Sequence, residues 1–173
     1  MQERLTGRAP RATLYSQEER ARRDASPWTL IQGILAPVQF LAFLVSLALV
    51  LRFLATGEGA AAATWSVVVK TFLLYTIMVT GCIWEKDVFG VYLFAPAFYW
   101  EDVFSMLVLA LHTAYLAALV TGTMDTRGQM LLALAAYAAY VINATQFLLK
   151  LRAARLDHAE RTRDTANLAG ATK

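Results

Sequence analysis

Residues Cys82 to Met106 read CIWEKDVFGVYLFAPAFYWEDVFSM: an aromatic, apolar run broken by Gly90 and Pro96 and bracketed by Trp84–Glu85 on one side and Trp100–Glu101 on the other. Val88 to Trp100 is too short to cross a bilayer, and its glycine and proline argue against one continuous helix. It reads instead as a re-entrant or interfacial segment between two spanning helices. Glu85 then closes one span, while Glu101 and Asp102 open the next at the same membrane level.

Outward from this stretch the chain falls into four long apolar blocks, Thr29 to Leu51, Ala62 to Trp84, Val103 to Val120 and Met130 to Leu149. Each approaches the roughly 20 helical residues that cross a hydrocarbon layer of about 30 Å. A chain of 173 residues that is 58% hydrophobic and 17% charged, with mean hydropathy +0.46, agrees. The expected fold is all-α, a four-transmembrane-helix bundle. Its domains are a basic tail over 1–26, a membrane domain over 27–152 and a mobile tail over 153–173.

Local signals set the boundaries. Ser16 and Glu19 have the spacing of a capping box, so the basic tail reads either as a short interfacial helix or as disordered chain. Ser26 and Pro27 suit the N-cap and first turn of the first span. Pro37 should kink that span and open room beside Gln32 and Gln39. No cleavable leader is expected, because the first apolar block follows a long basic segment. Arg20, Arg22 and Arg23 before the first span, with Lys150, Arg152 and Arg155 after the last, place both termini in the cytoplasm.

A net charge of +3 calls for no nucleic acid, and the lone Cys82 gives neither a disulfide nor a thiolate cluster. Histidine-rich di-iron boxes, phosphate-cradling glycine loops and Ser/His/Asp sets are absent from the sequence.

Ionisable and amide side chains within the apolar blocks carry the functional signal, since each is costly at membrane depth. Gln32, Glu85, Glu101, Asp102, Asn143 and Gln146 all fall in the cytoplasmic half, which suggests a shared pocket. Glu101, Ser105, Val108 and His112 share a helix face, with Glu101 and His112 about 16 Å apart along the axis. A large flat ligand spans that distance. The plainer readings are an interhelical hydrogen bond for His112 and wet helix caps for the carboxylates. Lys70 is expected to snorkel outward. Tyr137, Tyr140, Asn143 and Phe147 form a stripe that reads as packing or as an aromatic lining.

The runs SPWTLIQGILAPVQFLAFLVSL, GCIWEKDVFGVYLFAPAFYWEDVFSMLVLALHTAYLAAL and YVINATQFLLKLRAARL resemble the vinyl bacteriochlorophyllide hydratase family of phototrophic bacteria, over approximately Tyr15 to Leu156. The resemblance implies hydration of the C3 vinyl group of chlorophyllide or bacteriochlorophyllide to a 3-(1-hydroxyethyl) group, in a bacterial inner membrane. It implies no cofactor beyond the magnesium carried by the substrate. Other bacteriochlorophyll-synthesis enzymes and further copies of the chain are compatible partners.

That chemistry needs an acid, a base and a dry, flat slot. Desolvation and a like-charged neighbour can keep a carboxyl group at the bilayer edge protonated. Glu101 is the expected proton donor, with Glu85 or Asp102 positioning the water. His112 is expected to ligate the substrate magnesium or orient the ring. Trp84, Tyr99 and Trp100 would cover the pigment face, and Gln32, Asn143 and Gln146 would line its edge. The competing class is a non-catalytic pigment-binding or assembly subunit.

Overall fold

A computed structural model of the protein describes residues 14–171. It is helical: α1 (Gln17–Ala25), α2 (Pro27–Thr56), α3 (Ala60–Phe89), α4 (Tyr99–Thr121) and α5 (Thr126–Ala171). Four of these contain apolar stretches long enough to span a membrane, the last over Thr126–Leu156. Each extends past the block read from hydropathy. The reason is that backbone hydrogen bonding continues into the headgroup layer, whereas apolar composition stops at the hydrocarbon edge.

The ends follow from local chemistry. Ser16 and Glu19 form the expected capping box, the Ser16 Oγ accepting the Glu19 N–H at 3.1 Å and the Glu19 carboxylate accepting the Ser16 N–H at 2.7 Å. Pro27 starts α2 after Ser26, whose hydroxyl makes no capping bond. α2 runs unbroken through Pro37. Gly57, Gly90 and Gly122 end α2, α3 and α4 in the left-handed conformation, which a residue without a Cβ adopts freely. α5 continues through Leu156 to Ala171, so the chain beyond the last span starts as helix.

α2 packs chiefly on α3, and α4 on α5, as two antiparallel hairpins. They are joined by a core of Phe43 and Val50 from α2, Val67 from α3, Tyr115 from α4, and Met130, Ala133 and Tyr137 from α5. Ala133 and Ala136 let α5 approach closely, as small residues do where lipid removes the hydrophobic drive between helices. Ser46 adds a polar clasp, bonded to Ser66 at 2.7 Å and to the Tyr137 hydroxyl at 2.5 Å. Leu30, Leu41, Val45 and Val120 point outward, so apolar residues lie on both inner and outer faces, as a lipid-solvated bundle requires.

One expectation is overturned. Lys70 does not snorkel: it is fully buried, and its Nζ lies 3.1 Å from His112 Nε2 and 4.3 Å from the centre of the Tyr140 ring. The histidine lone pair and the tyrosine faces offer inside the bundle the compensation that a snorkelling lysine would seek at the headgroups.

Candidate functional site

The site is built where α3 ends and α4 begins. Between them residues 90–98 form irregular backbone, with bends and a turn but no helix. Phe94 sits at φ +61°, a left-handed conformation that costs a residue with a Cβ about 1–2 kcal/mol. That geometry presents two successive N–H groups to acidic side chains. The Phe94 N–H donates to Asp102 Oδ2 at 2.7 Å, and the Ala95 N–H donates to Glu85 Oε1 at 2.6 Å. The arrangement resembles the backbone concavities that bind anions.

Glu85 and Asp102 are both buried, and by binding successive N–H groups of one connector their carboxyl groups are brought together as an interacting pair. Two carboxyl groups held so close can share one proton, since like charges side by side disfavour ionising both. Glu85 therefore pairs with Asp102 rather than with Glu101. Glu101, also buried, turns to α5, where Lys150 Nζ donates to its Oε2 at 2.6 Å and also to the Ala97 carbonyl. Lys150 thus ties the end of the connector to both α4 and α5. One turn further along α4, Asn143 Nδ2 donates to Ser105 Oγ at 2.8 Å.

Aromatic rings surround this acidic cluster. Trp84 packs edge-on against Phe89 and Phe98, with centroids 5.9 and 5.7 Å apart, and its Nε1 donates to Thr29 Oγ1 at 2.9 Å. Phe147 stacks on Phe98. Tyr15, just before α1, stacks on Phe89 at 5.7 Å, so the N-terminal segment is docked on the connector. Trp100 and Tyr99 face outward, 67% and 48% exposed, and touch each other, while Tyr99 also meets the Phe94 ring.

The remaining expected residues are spread along the bundle. Gln32 joins α2 to α3, donating to Thr80 Oγ1 at 2.7 Å and to the Ile77 carbonyl at 3.3 Å. His112 shares the buried face of α4 with Glu101, Ser105 and Val108, as its spacing implies, but lies deeper, at Lys70. Its Nδ1–H donates to the Val108 carbonyl at 2.8 Å, which leaves Nε2 to accept from Lys70. Both ring nitrogens are engaged. Tyr137 and Tyr140 pack around the same lysine, while Phe147 belongs to the connector cluster. The buried Asn143 Oδ1 and Gln146 Oε1 have no hydrogen-bond partner among the described residues.

Sequence reasoning took Lys150 only as a topology marker and expected Lys70 to snorkel outward, so it gave neither a partner. For Lys150 a signal existed: Asn143, Gln146 and Lys150 recur at helical spacing, so the lysine continues the polar face of α5. For Lys70 the signal was depth within its block. The strained connector backbone had none, because no residue type announces which N–H will meet which carboxyl.

A family model described as 2-vinyl bacteriochlorophyllide hydratase (BCHF) matches residues 15–153. A protein of Rhodobacter capsulatus named 2-vinyl bacteriochlorophyllide hydratase is 72% identical over 149 residues, covering 86% of each chain. One of the same name from Cereibacter sphaeroides is 72% identical over 150 residues, covering 86% of this chain and 92% of the relative. No solved structure matches the chain. With the match spanning α1, the four membrane helices and the acidic cluster, the chain belongs to the 2-vinyl bacteriochlorophyllide hydratase family.

Proposed function

We propose that this protein is a membrane hydro-lyase that adds water across the vinyl group of a chlorophyllide or bacteriochlorophyllide during bacteriochlorophyll synthesis. The vinyl carbon carrier is C3 in current macrocycle numbering and 2 in the older numbering kept in the family name. The product carries a 1-hydroxyethyl group. No cofactor takes part, and magnesium enters only as part of the pigment.

The observation that carries the mechanism is the buried Glu85–Asp102 pair. Its shared proton goes to the terminal vinyl carbon, and the π electrons of the double bond form the new C–H bond. The cation left on the ring-attached carbon is delocalised into the macrocycle. Water adds there through an oxygen lone pair, and the proton it sheds returns to the carboxylate pair, so the enzyme ends as it began. The Phe94 and Ala95 N–H groups stabilise the pair when its proton has left, because hydrogen bonds to a carboxylate favour its charged form.

Glu101, by contrast, is already paired with Lys150. Because Lys150 also bonds the Ala97 carbonyl, this ion pair anchors the connector, and that is the part assigned to Glu101. Trp84 and Phe89, half-buried and backed by the buried Phe98, supply apolar surface for the macrocycle. Trp100 and Tyr99 stand where a pigment arriving through the bilayer first meets the protein. If His112 ligates the magnesium, Lys70 must first release Nε2.

A substrate that partitions into lipid suits an enzyme of the bacterial cytoplasmic or intracytoplasmic membrane, working alongside other enzymes that handle the same pigment. Both termini lie in the cytoplasm, where the arginines flanking α2 and α5 meet anionic headgroups.

The test is purified protein in lipid nanodiscs with vinyl chlorophyllide and, separately, its bacteriochlorin counterpart. The expected result is a mass gain of one water in the wild type, lost in Glu85→Gln and Asp102→Asn while pigment binding persists. Bound pigment without any mass gain in the wild type would favour the assembly-subunit reading instead. Full activity in both variants would remove the carboxyl pair from the chemistry.

A further inference from the structure

A nucleophilic water must be held beside the cation without being consumed by a base too early, and the carboxyl pair alone does not provide that. Two of the buried amide oxygens without a partner among the described residues, Asn143 Oδ1 and Gln146 Oε1, belong to the stretch of α5 that meets the start of α4. Lys150 meets Glu101 and Asn143 meets Ser105, so α4 and α5 run antiparallel with these two bonds as rungs. Gln146 lies between the rungs on α5, which sets it at the level of Glu101 and Asp102 on α4. Asn143 and Gln146 are three residues apart and therefore neighbours on one helix face. Asn143 donates from Nδ2 to Ser105 Oγ, which leaves its Oδ1 to accept.

We infer that Asn143 Oδ1 and Gln146 Oε1 bind the attacking water, each accepting one of its hydrogens. This deepens the hydratase reading and rests on it. Water held by both hydrogens has its oxygen lone pairs free for the cation. An amide oxygen is too weak a base to remove the vinyl-derived proton or to deprotonate water before attack. A carboxylate in the same place would do both. When the C–O bond forms, the added oxygen becomes acidic, turns one O–H from its amide acceptor to the Glu85–Asp102 carboxylate that gave its proton to the vinyl carbon, and releases that hydrogen there. Asn143 and Gln146 are positioning residues. They act through the water and not on the pigment.

Protonation and water capture can be separated by isotope. In D2O, a cation that is formed but not captured loses a proton from its methyl group and returns as vinyl pigment carrying deuterium at the terminal carbon. The variants are Asn143→Leu, Gln146→Leu and the double variant, in nanodiscs, with pigment affinity and thermal melting recorded for each. Apolar replacements remove the acceptors while keeping bulk suited to a membrane helix, and Gln146→Met serves where a leucine lowers the yield.

Hydration is expected to fall about a hundredfold, while deuterium appears in the recovered vinyl group at a rate near the wild-type turnover. Glu85→Gln should show neither hydration nor exchange, which marks failure at protonation. The inference is overturned if hydration and exchange fall together in the amide variants, or if the double variant hydrates at the wild-type rate. A wild-type protein that neither hydrates nor exchanges would refute the hydratase reading itself, a result distinct from either.

Discussion

Glu85 at the end of α3 and Asp102 at the start of α4 accept the successive N–H groups of Ala95 and Phe94, which holds their buried carboxyl groups together at one point of the connector. Helix ends, strained backbone and acidic chemistry are thus one unit, and changes to any part should be felt in the others.

Residues that act as a unit do not contribute additively. Glu85→Gln and Asp102→Asn should each lower kcat by about 10²–10⁴, the range of general acid–base catalysis. The double variant should be no slower than the worse single one. Single-turnover hydration rates for the three proteins decide this; multiplicative losses would mean that the two carboxyls work independently.

Phe94 pays for its left-handed conformation without being buried, since it is 42% exposed. Phe94→Val, with a β-branched side chain at positive φ, should lower stability by about 1–3 kcal/mol. Phe94→Gly should leave stability unchanged or raise it, while loosening the Phe94–Tyr99 ring contact. Thermal melts in one detergent compare the two, and equal melting points would show that the backbone relaxes at no cost.

Lys150→Met removes the counterion of buried Glu101 and the clamp on Ala97 together. Lys150 is 27% exposed, so solvent screening reduces the loss to about 2 kcal/mol, below that of a fully buried pair. Glu101→Gln should cost less, because the neutral amide oxygen still accepts from Lys150. Chemical denaturation of the two variants tests that order, which reverses if the carboxylate matters for more than its bond to Lys150.

Lys70→Met should leave His112 Nε2 buried and unpaired, at a cost of about 1–3 kcal/mol. Lys70→Met with His112→Leu should recover most of that, as apolar replacement of both partners of a buried polar pair commonly does. The single variant also frees the nitrogen for magnesium. A shift in the bound pigment's absorption bands, seen in Lys70→Met and abolished by the added His112→Leu, would establish that His112 can reach the metal.

Much of the architecture was legible in the chain. Four apolar blocks of spanning length, Gly90 and Pro96 between the second and third, and the Ser16–Glu19 spacing gave the helix count, the break and the capping box, because each depends only on neighbouring residues. The spacing of Glu101, Ser105, Val108 and His112 likewise gave the buried face of α4. Which groups meet was not legible. Glu85 takes Asp102, Glu101 takes Lys150, and Lys70 turns inward to His112, and each of these choices depends on how helices are rotated about their axes and how a strained connector folds back between them. Apolar residues on both inner and outer faces leave a membrane helix without an amphipathic signature to fix that rotation. Polar groups with no water to turn to take whichever partner the assembled bundle brings within reach.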